Sequence, residues 1–291
     1  MTDRNDSLDR ICEPCPEWLK GEGPAGDVVL SSRVRLARSL AGMPFTTAAS
    51  REDSELVLTR IESQLESLPG EPVSIDLRTC PKSNGRLLVE RQLISAALLA
   101  GRQRDISGKR TKLAEQDPRG GVTWLDNPRL AVMINEEDHI RIQALRTGYD
   151  LPAALRLADE ADDAIEQRLD YAFHPRLGYL TACPTNVGTG ARFSVMMHLP
   201  GLAISGDLDR ATRAAHDMSL AVRGFYGEGT ESAGDFFQFS NQTTLGRSEG
   251  MLLDELARDI VPQIIEYERE SRRKRVNSQR LLREDNVHRA L

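Results

Sequence analysis

Ser31-Ser32-Arg33-Val34-Arg35-Leu36 alternates in character, with Arg33 and Arg35 on one side of an extended chain and Val34 and Leu36 on the other. Successive side chains of a strand point to opposite faces, so the stretch predicts a β-strand with one apolar face and one face carrying two guanidiniums. Two like charges side by side are costly if buried without an anion between them. That face is therefore open to water or binds phosphate, and the pattern alone favours water.

Working outward, Gly21-Glu22-Gly23-Pro24-Ala25-Gly26 closes a polar entry over residues 1–26. Asp53 to Leu68 carries Leu56, Ile61, Leu65 and Leu68 among charges and predicts an amphipathic helix, and Val73 to Leu77 alternates like a half-buried strand. A short helix is expected to begin near Glu90. Gly101 to Gly121 is charged and glycine-interrupted, and is taken as a mobile loop able to act as a lid. Leu130 to Ile134 reads as an apolar strand, and Leu151 to Phe173 as a long helix whose acids Asp159, Glu160, Asp162, Asp163 and Glu166 form a solvated face. Strands near Leu177–Ala182 and Arg192–Leu199, a helix near Asp207–Leu220 and a glycine-rich hairpin from Ala221 to Gln242 follow. From Ser248 the apolar spacing predicts a final helix that Pro262 kinks or splits, and the tail from Arg272 is too polar to pack alone. Such alternation predicts mixed α and β structure.

Composition narrows the function. The 291 residues are 40% hydrophobic and 28% charged, enough for a real core. No run approaches the roughly 18 to 20 apolar residues that span a bilayer, and the start of the chain lacks the apolar segment of a secretion signal, so a cytoplasmic location without membrane association is expected. A net charge of −6 argues against a nucleic-acid partner. Of 38 basic residues only Lys20, Lys82, Lys109, Lys112 and Lys274 are lysine. Four scattered cysteines form no disulfide framework, and the Cys12-x-x-Cys15 pair lacks the second half of a zinc site.

No GxxxxGK[ST] phosphate loop is present, and the Gly188-Thr189-Gly190 triplet lacks the third glycine of a dinucleotide fingerprint. A nucleotide would need other phosphate ligands. Three clusters besides the Arg33/Arg35 strand can carry chemistry. In Asn135-Glu136-Glu137-Asp138-His139-Ile140-Arg141, crowded carboxylates raise one another's pKa and can act as a base, although an acidic turn is the commoner meaning of such a run. Cys183-Pro184-Thr185-Asn186-Val187-Gly188-Thr189-Gly190-Ala191-Arg192 is a small-residue loop that lets a ligand approach the backbone, with a thiol at its start and an arginine at its end. Arg223-Gly224-Phe225-Tyr226-Gly227-Glu228 is a glycine-flexed tip whose acid can close over a substrate.

Taken together and in this order, the segments VVLSSRVRLARSL, LLVERQLIS, VMINEEDHIRIQ, DYAFHPRLGYLTACPTNVGTGARFSVMMHLPGL, VRGFYGEGTE and FQFSNQTTLGRSE resemble the phosphagen kinase family, most closely its bacterial protein-arginine kinase branch of the McsB type. The resemblance implies an α+β fold, a largely antiparallel sheet flanked by helices of the glutamine-synthetase-like guanido kinase kind. Residues 27–250 would form the catalytic domain and 251–291 a short helical extension. It implies ATP and Mg²⁺ as cofactors, with the triphosphate held by Arg33, Arg35, Arg141, Arg192 and Arg223. The nucleotide-binding segments it marks are Ser31, Ser32, Arg33, Val34 and Arg35; Gln92; Arg141; Arg192, Phe193, Ser194, Val195 and Met196; and Arg223, Gly224, Phe225, Tyr226, Gly227 and Glu228. Glu137 matches the family's catalytic base, Glu228 the acid of its flexible loop and Cys183 its active-site cysteine. No metal ligand from the protein is implied, since Mg²⁺ would sit on phosphate oxygens.

The resemblance also implies protein substrates with accessible arginines, a zinc-binding activator and a Clp-type protease as partners. Only about 30 residues precede the SSRVR strand, where kinases of small guanidino metabolites carry a further helical domain, so an open site is expected. The chain departs from the family pattern at Gln92, usually a histidine, at Phe193, usually an alanine, and at its end, where the family's dimerising, phosphoarginine-binding domain is largely missing. A regulatory module without turnover and a kinase of free arginine or a related metabolite stand as alternatives.

Overall fold

The computed structural model describes residues 17–68, 72–100, 120–126, 129–224, 233–278, 285, 288 and 289. The Ser31–Leu36 alternation lies in a ten-residue strand, β1 (Val29–Arg38), at the centre of an eight-stranded sheet. Its partners are β2 (Val73–Asp76), β3 (Gly121–Asp126), β4 (Leu130–Ile134), β5 (Ile140–Thr147), β8 (Ala191–His198), β9 (Leu220–Gly224) and β10 (Phe236–Asn241), in the order β2-β3-β4-β5-β1-β8-β10-β9. Every pairing is antiparallel, as the family resemblance implies. A separate two-stranded hairpin joins β6 (Phe173–His174) to β7 (Gly178–Tyr179).

The period of two sorts the sheet into faces. Val34, Leu36, Phe193, Val195, Met197, Phe237 and Phe239 point to one side, into a core that also takes in Val57, Leu58 and Ile61 of helix α1 (Arg51–Leu65). Ser50 starts α1 with a capping box: its hydroxyl accepts the Asp53 N–H while the Asp53 carboxylate accepts its own N–H. The opposite face is apolar only at the β2–β4 end, where Val122, Ala131 and Met133 meet Leu88 of α2 (Lys82–Glu90) and Leu98 of α3 (Ala96–Leu99). Over β5, β1, β8, β10 and β9 that face is mainly polar, with Leu145 and Met196 its larger apolar members.

Several expectations need correction. The helix expected to begin near Glu90 ends there, because Pro81 sets its start. β3 begins at Gly121, the residue taken as the end of a loop; positions 101–119 of that loop lie outside the described residues. The helix expected over Leu151–Phe173 is α4 (Leu151–Glu166), and the strand near Leu177–Ala182 is only the two residues of β7. The acidic face of α4 is not wholly solvated. Asp162 is buried, and its carboxylate receives Arg38 at 2.6 Å and the Tyr171 hydroxyl at 3.0 Å. Arg38, itself buried, also lies 3.7 Å from the centre of the Tyr179 ring.

After α5 (Pro200–Ser205) and α6 (Leu208–Asp217), the C-terminal helix is split where Pro262 predicts. α7 (Glu249–Asp254) widens into a π turn over Glu255–Ile260 before α8 (Val261–Ser278). Proline lacks the N–H that would close a normal turn, and the carbonyl of Ala257 in the widened turn takes the Tyr149 hydroxyl instead. The polar tail is helical as far as Ser278, and Arg272 within it packs. Arg272 donates to Glu268 at 2.6 Å and to the His198 carbonyl at 2.9 Å, so charge-assisted bonds replace the missing apolar stripe. Among the described residues no helix is long and apolar enough to cross a membrane.

Candidate active site

The antiparallel register assembles the polar face. Arg35 stands opposite Arg192 of β8 and Gln143 of β5, while Arg33 stands opposite Ser194. Gln238 of β10 stands opposite Met196 on one side and Arg223 of β9 on the other. Directly paired residues share a face, so Arg33, Arg35, Arg141, Arg192 and Arg223 all project from one surface. Arg33 donates to Ser194 Oγ at 3.2 Å and to Gln238 Oε1 at 2.6 Å, and Arg192 donates to Ser240 Oγ at 2.9 Å. The Nε–H of Arg192 is buried with no hydrogen-bond partner among the described residues.

The crowding shows in the acid–base balance. Burial, followed by Arg192, Arg141 and Arg223, pulls the Arg33 pKa down to about 10. Burial and the neighbouring Arg33, Arg141 and Arg192 push Arg35 well below its ordinary value, and burial with Arg223 and Arg141 lowers Arg192 to about 10. A half-buried face on which arginines lower one another's pKa is unlike the solvated face that the Arg33/Arg35 alternation alone favours. β1 carries only two of the five cations, and register supplies the rest.

Arg141 is the exception. Burial opposes its charge, but Glu136, Glu137 and Asp138 outweigh burial and hold its pKa above the ordinary value.

Those three acids, crowded in the turn between β4 and β5, have separate environments. Glu136 is buried; its carboxylate accepts the Ser95 hydroxyl at 2.7 Å and the Glu137 N–H at 2.8 Å, and pairs with Arg141. Asp138 is fully buried and accepts the Ala182 N–H at 2.6 Å and the Asn186 amide at 3.1 Å. Glu137 alone exposes its carboxylate, with one oxygen 2.6 Å from Arg141. The expectation that crowding raises the pKa fails for Glu137. Burial pushes it up, but Arg141, then Arg35 and Arg192, bring it below the ordinary carboxylate value. The turn itself is fixed by His139, whose Nδ1 accepts the Leu40 N–H at 3.0 Å while Nε2–H donates to the Pro44 carbonyl at 2.9 Å, and by Thr46, whose hydroxyl donates to the Glu137 carbonyl.

Cys183 opens the loop between β7 and β8, half-buried, with Sγ 3.1 Å from the Thr185 hydroxyl. Its nearness to Arg192 is one of the influences that offset the lowering of that arginine. The loop's glycines serve the protein's own backbone more than a ligand. Gly188 adopts φ +116, and a Cβ there would come 2.7 Å from the Thr244 carbonyl oxygen; at Gly190 (φ +65) it would come 2.5 Å from that of Ala37. The Thr244 hydroxyl then ties the loop down through the Val187 carbonyl at 2.7 Å.

Gln92, at φ +59, lies with Ser31, Arg33, Ser194, Met196 and Gln238 around a pocket beside the arginines, and its carbonyl takes the Gln143 amide. Four expected nucleotide-binding positions are turned away. Val34, Phe193 and Val195 lie in the core, and the Ser32 hydroxyl bonds to the Gly148 carbonyl at 2.8 Å. Only their backbones can face a ligand, and Phe193 packs in the core under the sheet. Gly224 ends β9; Phe225, Tyr226, Gly227 and Glu228 lie outside the described residues, as do Cys12 and Cys15. Gln143, Gln238 and Ser240 were not foreseen, although Phe237-Gln238-Phe239-Ser240 carries the alternation that places two polar groups on one face.

The profile of the ATP:guanido phosphotransferase C-terminal catalytic domain matches residues 56–271. The chain belongs to the ATP:guanido phosphotransferase family. A protein-arginine kinase of Bacillus pumilus (strain SAFR-032) is 43% identical over 285 residues, covering 97% of this chain and 74% of the relative. Another, from Bacillus subtilis (strain 168), is 41% identical over 284 residues, covering 96% and 74%. Among solved structures, lombricine kinase superposes with a TM-score of 0.71 at 25% identity, covering 88% of this chain and 71% of that one. The duplicated taurocyamine kinase of Schistosoma mansoni, with bound transition-state analogue components, gives 0.72 at 27% identity over 88% of this chain and 36% of its own.

Proposed function

We infer that this chain is a protein-arginine kinase, transferring the γ-phosphoryl group of ATP to arginine guanidinium groups of proteins. Relatives named for that activity match it over nearly its whole length. The observation that carries the mechanism is the single sheet face on which Arg33, Arg35, Arg141, Arg192 and Arg223 converge, with Arg192 Nε–H buried and unpartnered among the described residues. Mutually repelling cations with an orphaned donor fit a polyphosphate, whose oxygens would satisfy the donor and relieve the repulsion. Mg²⁺ on the phosphate oxygens would supply further neutralisation of the charge on the transferred group.

The protein's own residues then have distinct tasks. The arginines hold the triphosphate and stabilise the charge that grows on the equatorial oxygens. A guanidinium has no free lone pair, so an acceptor must take its proton as the N–P bond forms and the bond from phosphorus to the ADP oxygen breaks. Glu137 is that acceptor: its exposed carboxylate is kept ionised by Arg141, and its backbone is held on both sides, by Glu136 through its N–H and by Thr46 through its carbonyl. Cys183 aligns the guanidinium from the opposite loop. Glu228 as the closing acid rests on the family resemblance alone, as do the zinc-binding activator, delivery to a Clp-type protease and a cytoplasmic location. We draw the catalytic unit as residues 27–250, with 251–291 a helical extension fastened through Glu268 and Arg272.

Substrate class is tested by offering MgATP with an unfolded arginine-rich protein and, separately, with free arginine. The expected outcome is phosphoarginine on the protein at far higher efficiency. Equal turnover of both would replace this reading with a kinase of free guanidino compounds, and nucleotide binding without transfer to either would replace it with a regulatory module.

A further inference from the structure

We propose that Asp138 is a positioning residue that sets the distance between Glu137 and Cys183, using one buried carboxylate to fasten together the two loops flanking the guanidinium. The inference rests on the kinase reading above for the identity of that group, but its geometry stands independently. Glu137 belongs to the turn between β4 and β5, and Cys183 to the loop between β7 and β8. Asp138 follows Glu137 directly and has no exposed surface. Its Oδ1 accepts the N–H of Ala182, the residue before Cys183, at 2.6 Å, and its Oδ2 accepts the amide of Asn186, three residues after Cys183, at 3.1 Å. One carboxylate therefore grips the thiol-bearing loop on both sides of the thiol.

The other anchors act elsewhere. Thr181 donates to the Cys183 carbonyl at 2.8 Å and so folds the loop on itself. Thr244 holds Thr185 and Val187 to the turn before α7. Glu136, Thr46 and His139 fix the Glu137 turn to Ser95, Pro44 and Leu40. Asp138 joins the two assemblies. A displacement of about 1 Å in such a pair can cost about 100-fold in rate while leaving remote binding intact. The arginine face makes no hydrogen bond to Asp138 and feels it only through charge, at Arg141, so a variant that keeps that charge and cuts a bond to the thiol loop, Asn186→Ala, separates the two functions.

Asp138→Asn keeps the shape but removes the charge and replaces one accepting oxygen by an NH2, so the Asn186 amide must turn over to present its oxygen, and the grip on the thiol loop is re-formed only as a weaker neutral bond. We expect kcat for an arginine-rich protein to fall about tenfold or more; in Asn186→Ala, which leaves the Asp138 charge near Arg141 in place, kcat should fall with the KM for MgATP unchanged. Combining Asp138→Asn with Asn186→Asp should recover most of the loss, because the amide oxygen introduced at position 138 can still accept from Ala182 while its NH2 donates to the carboxylate introduced at position 186. Site-resolved alkylation gives a readout that does not depend on turnover: the rate at Cys183 should change in Asp138→Asn while that at Cys80 does not. Should Asp138→Asn fail to fold, Asn186→Ala removes one of the two bonds and should show the same pattern, more weakly. Wild-type kcat together with wild-type Cys183 alkylation in the folded variants would overturn the proposal. A wild-type chain that makes no phosphoarginine, yet whose Cys183 alkylation responds to Asp138→Asn, would overturn the kinase reading and leave the positioning role standing.

Discussion

Arg35 lies directly across from Arg192 on the neighbouring strand, two guanidiniums facing the same side of the sheet. Like charges directly opposite in a sheet are destabilising, so this face is least stable when no anion is present. Arg35→Gln is expected to raise the stability of the nucleotide-free protein by about 0.5 to 1 kcal/mol. In the wild type, MgATP at about 100 times its Kd should add about 2.7 kcal/mol, and the variant should lose most of that response. Thermal unfolding with and without nucleotide checks both signs. A variant that is destabilised alone and still responds fully to MgATP would contradict an anion site on this face.

Glu268 is fully buried on α8, accepting the N–H groups of Gly201 and Leu202 at the start of α5, at 2.8 and 2.9 Å, and the Nε–H of Arg272. It caps one helix from another. Glu268→Ala strands two buried N–H donors and an arginine, and should cost about 3 kcal/mol or more in denaturant unfolding. Arg272→Ala should cost less, because the helix-capping bonds of Glu268 survive.

Glu62 on α1 is half-buried near Gly121, and burial, reinforced by Asp76 and Glu66, raises its pKa to about 6. A carboxyl whose folded pKa exceeds its unfolded one near 4.5 favours folding when protonated. Its contribution is present below about pH 4.5 and is lost as pH rises through about 6. Glu62→Gln should therefore stabilise the protein at pH 7 by about 1 kcal/mol, after allowance for solvent screening, and by nothing at pH 4. Unfolding curves for both proteins at the two pH values decide it.

His139 titrates with the opposite consequence. Burial lowers its pKa below 6.5, outweighing the bond to the Pro44 carbonyl, and Nδ1 is already occupied by the Leu40 N–H. Its neutral form supports the folded state above the unfolded pKa of about 6.5, and that support is lost as pH falls towards the lowered folded value. His139→Gln should flatten the decline in stability between about pH 6.5 and 5 relative to wild type, as read from denaturant unfolding across that range.

What could be read from the sequence followed from local geometry. The period of two placed Arg33 with Arg35 and Val34 with Leu36, and the helices begun by Ser50 and Ser248 were visible from their apolar spacing. What could not be read depends on partners distant in the chain. Nothing in the acidic run distinguishes Asp162 from Asp159 or Asp163; Arg38, 124 positions away, and the Tyr171 hydroxyl make it a core residue. Glu268 sits in a charged helix and is defined by the backbone of α5. Glu136, Glu137 and Asp138 are one acidic run in sequence; Ser95, Arg141 and Ala182 give each a different task. β3 escaped notice because its first residue, Gly121, closes a charged, glycine-interrupted stretch.

If the arginine face and Glu137 together phosphorylate arginine, transfer from MgATP to an unfolded arginine-rich protein must depend on the Glu137 carboxylate. The decisive comparison is wild type against Glu137→Ala, read by mass spectrometry at neutral pH to preserve the acid-labile N–P bond. Phosphoarginine is expected from the wild type, with a loss of about 100-fold or more in the variant and nucleotide binding retained. Phosphoarginine formed equally by both would contradict the assignment of Glu137 as the proton acceptor.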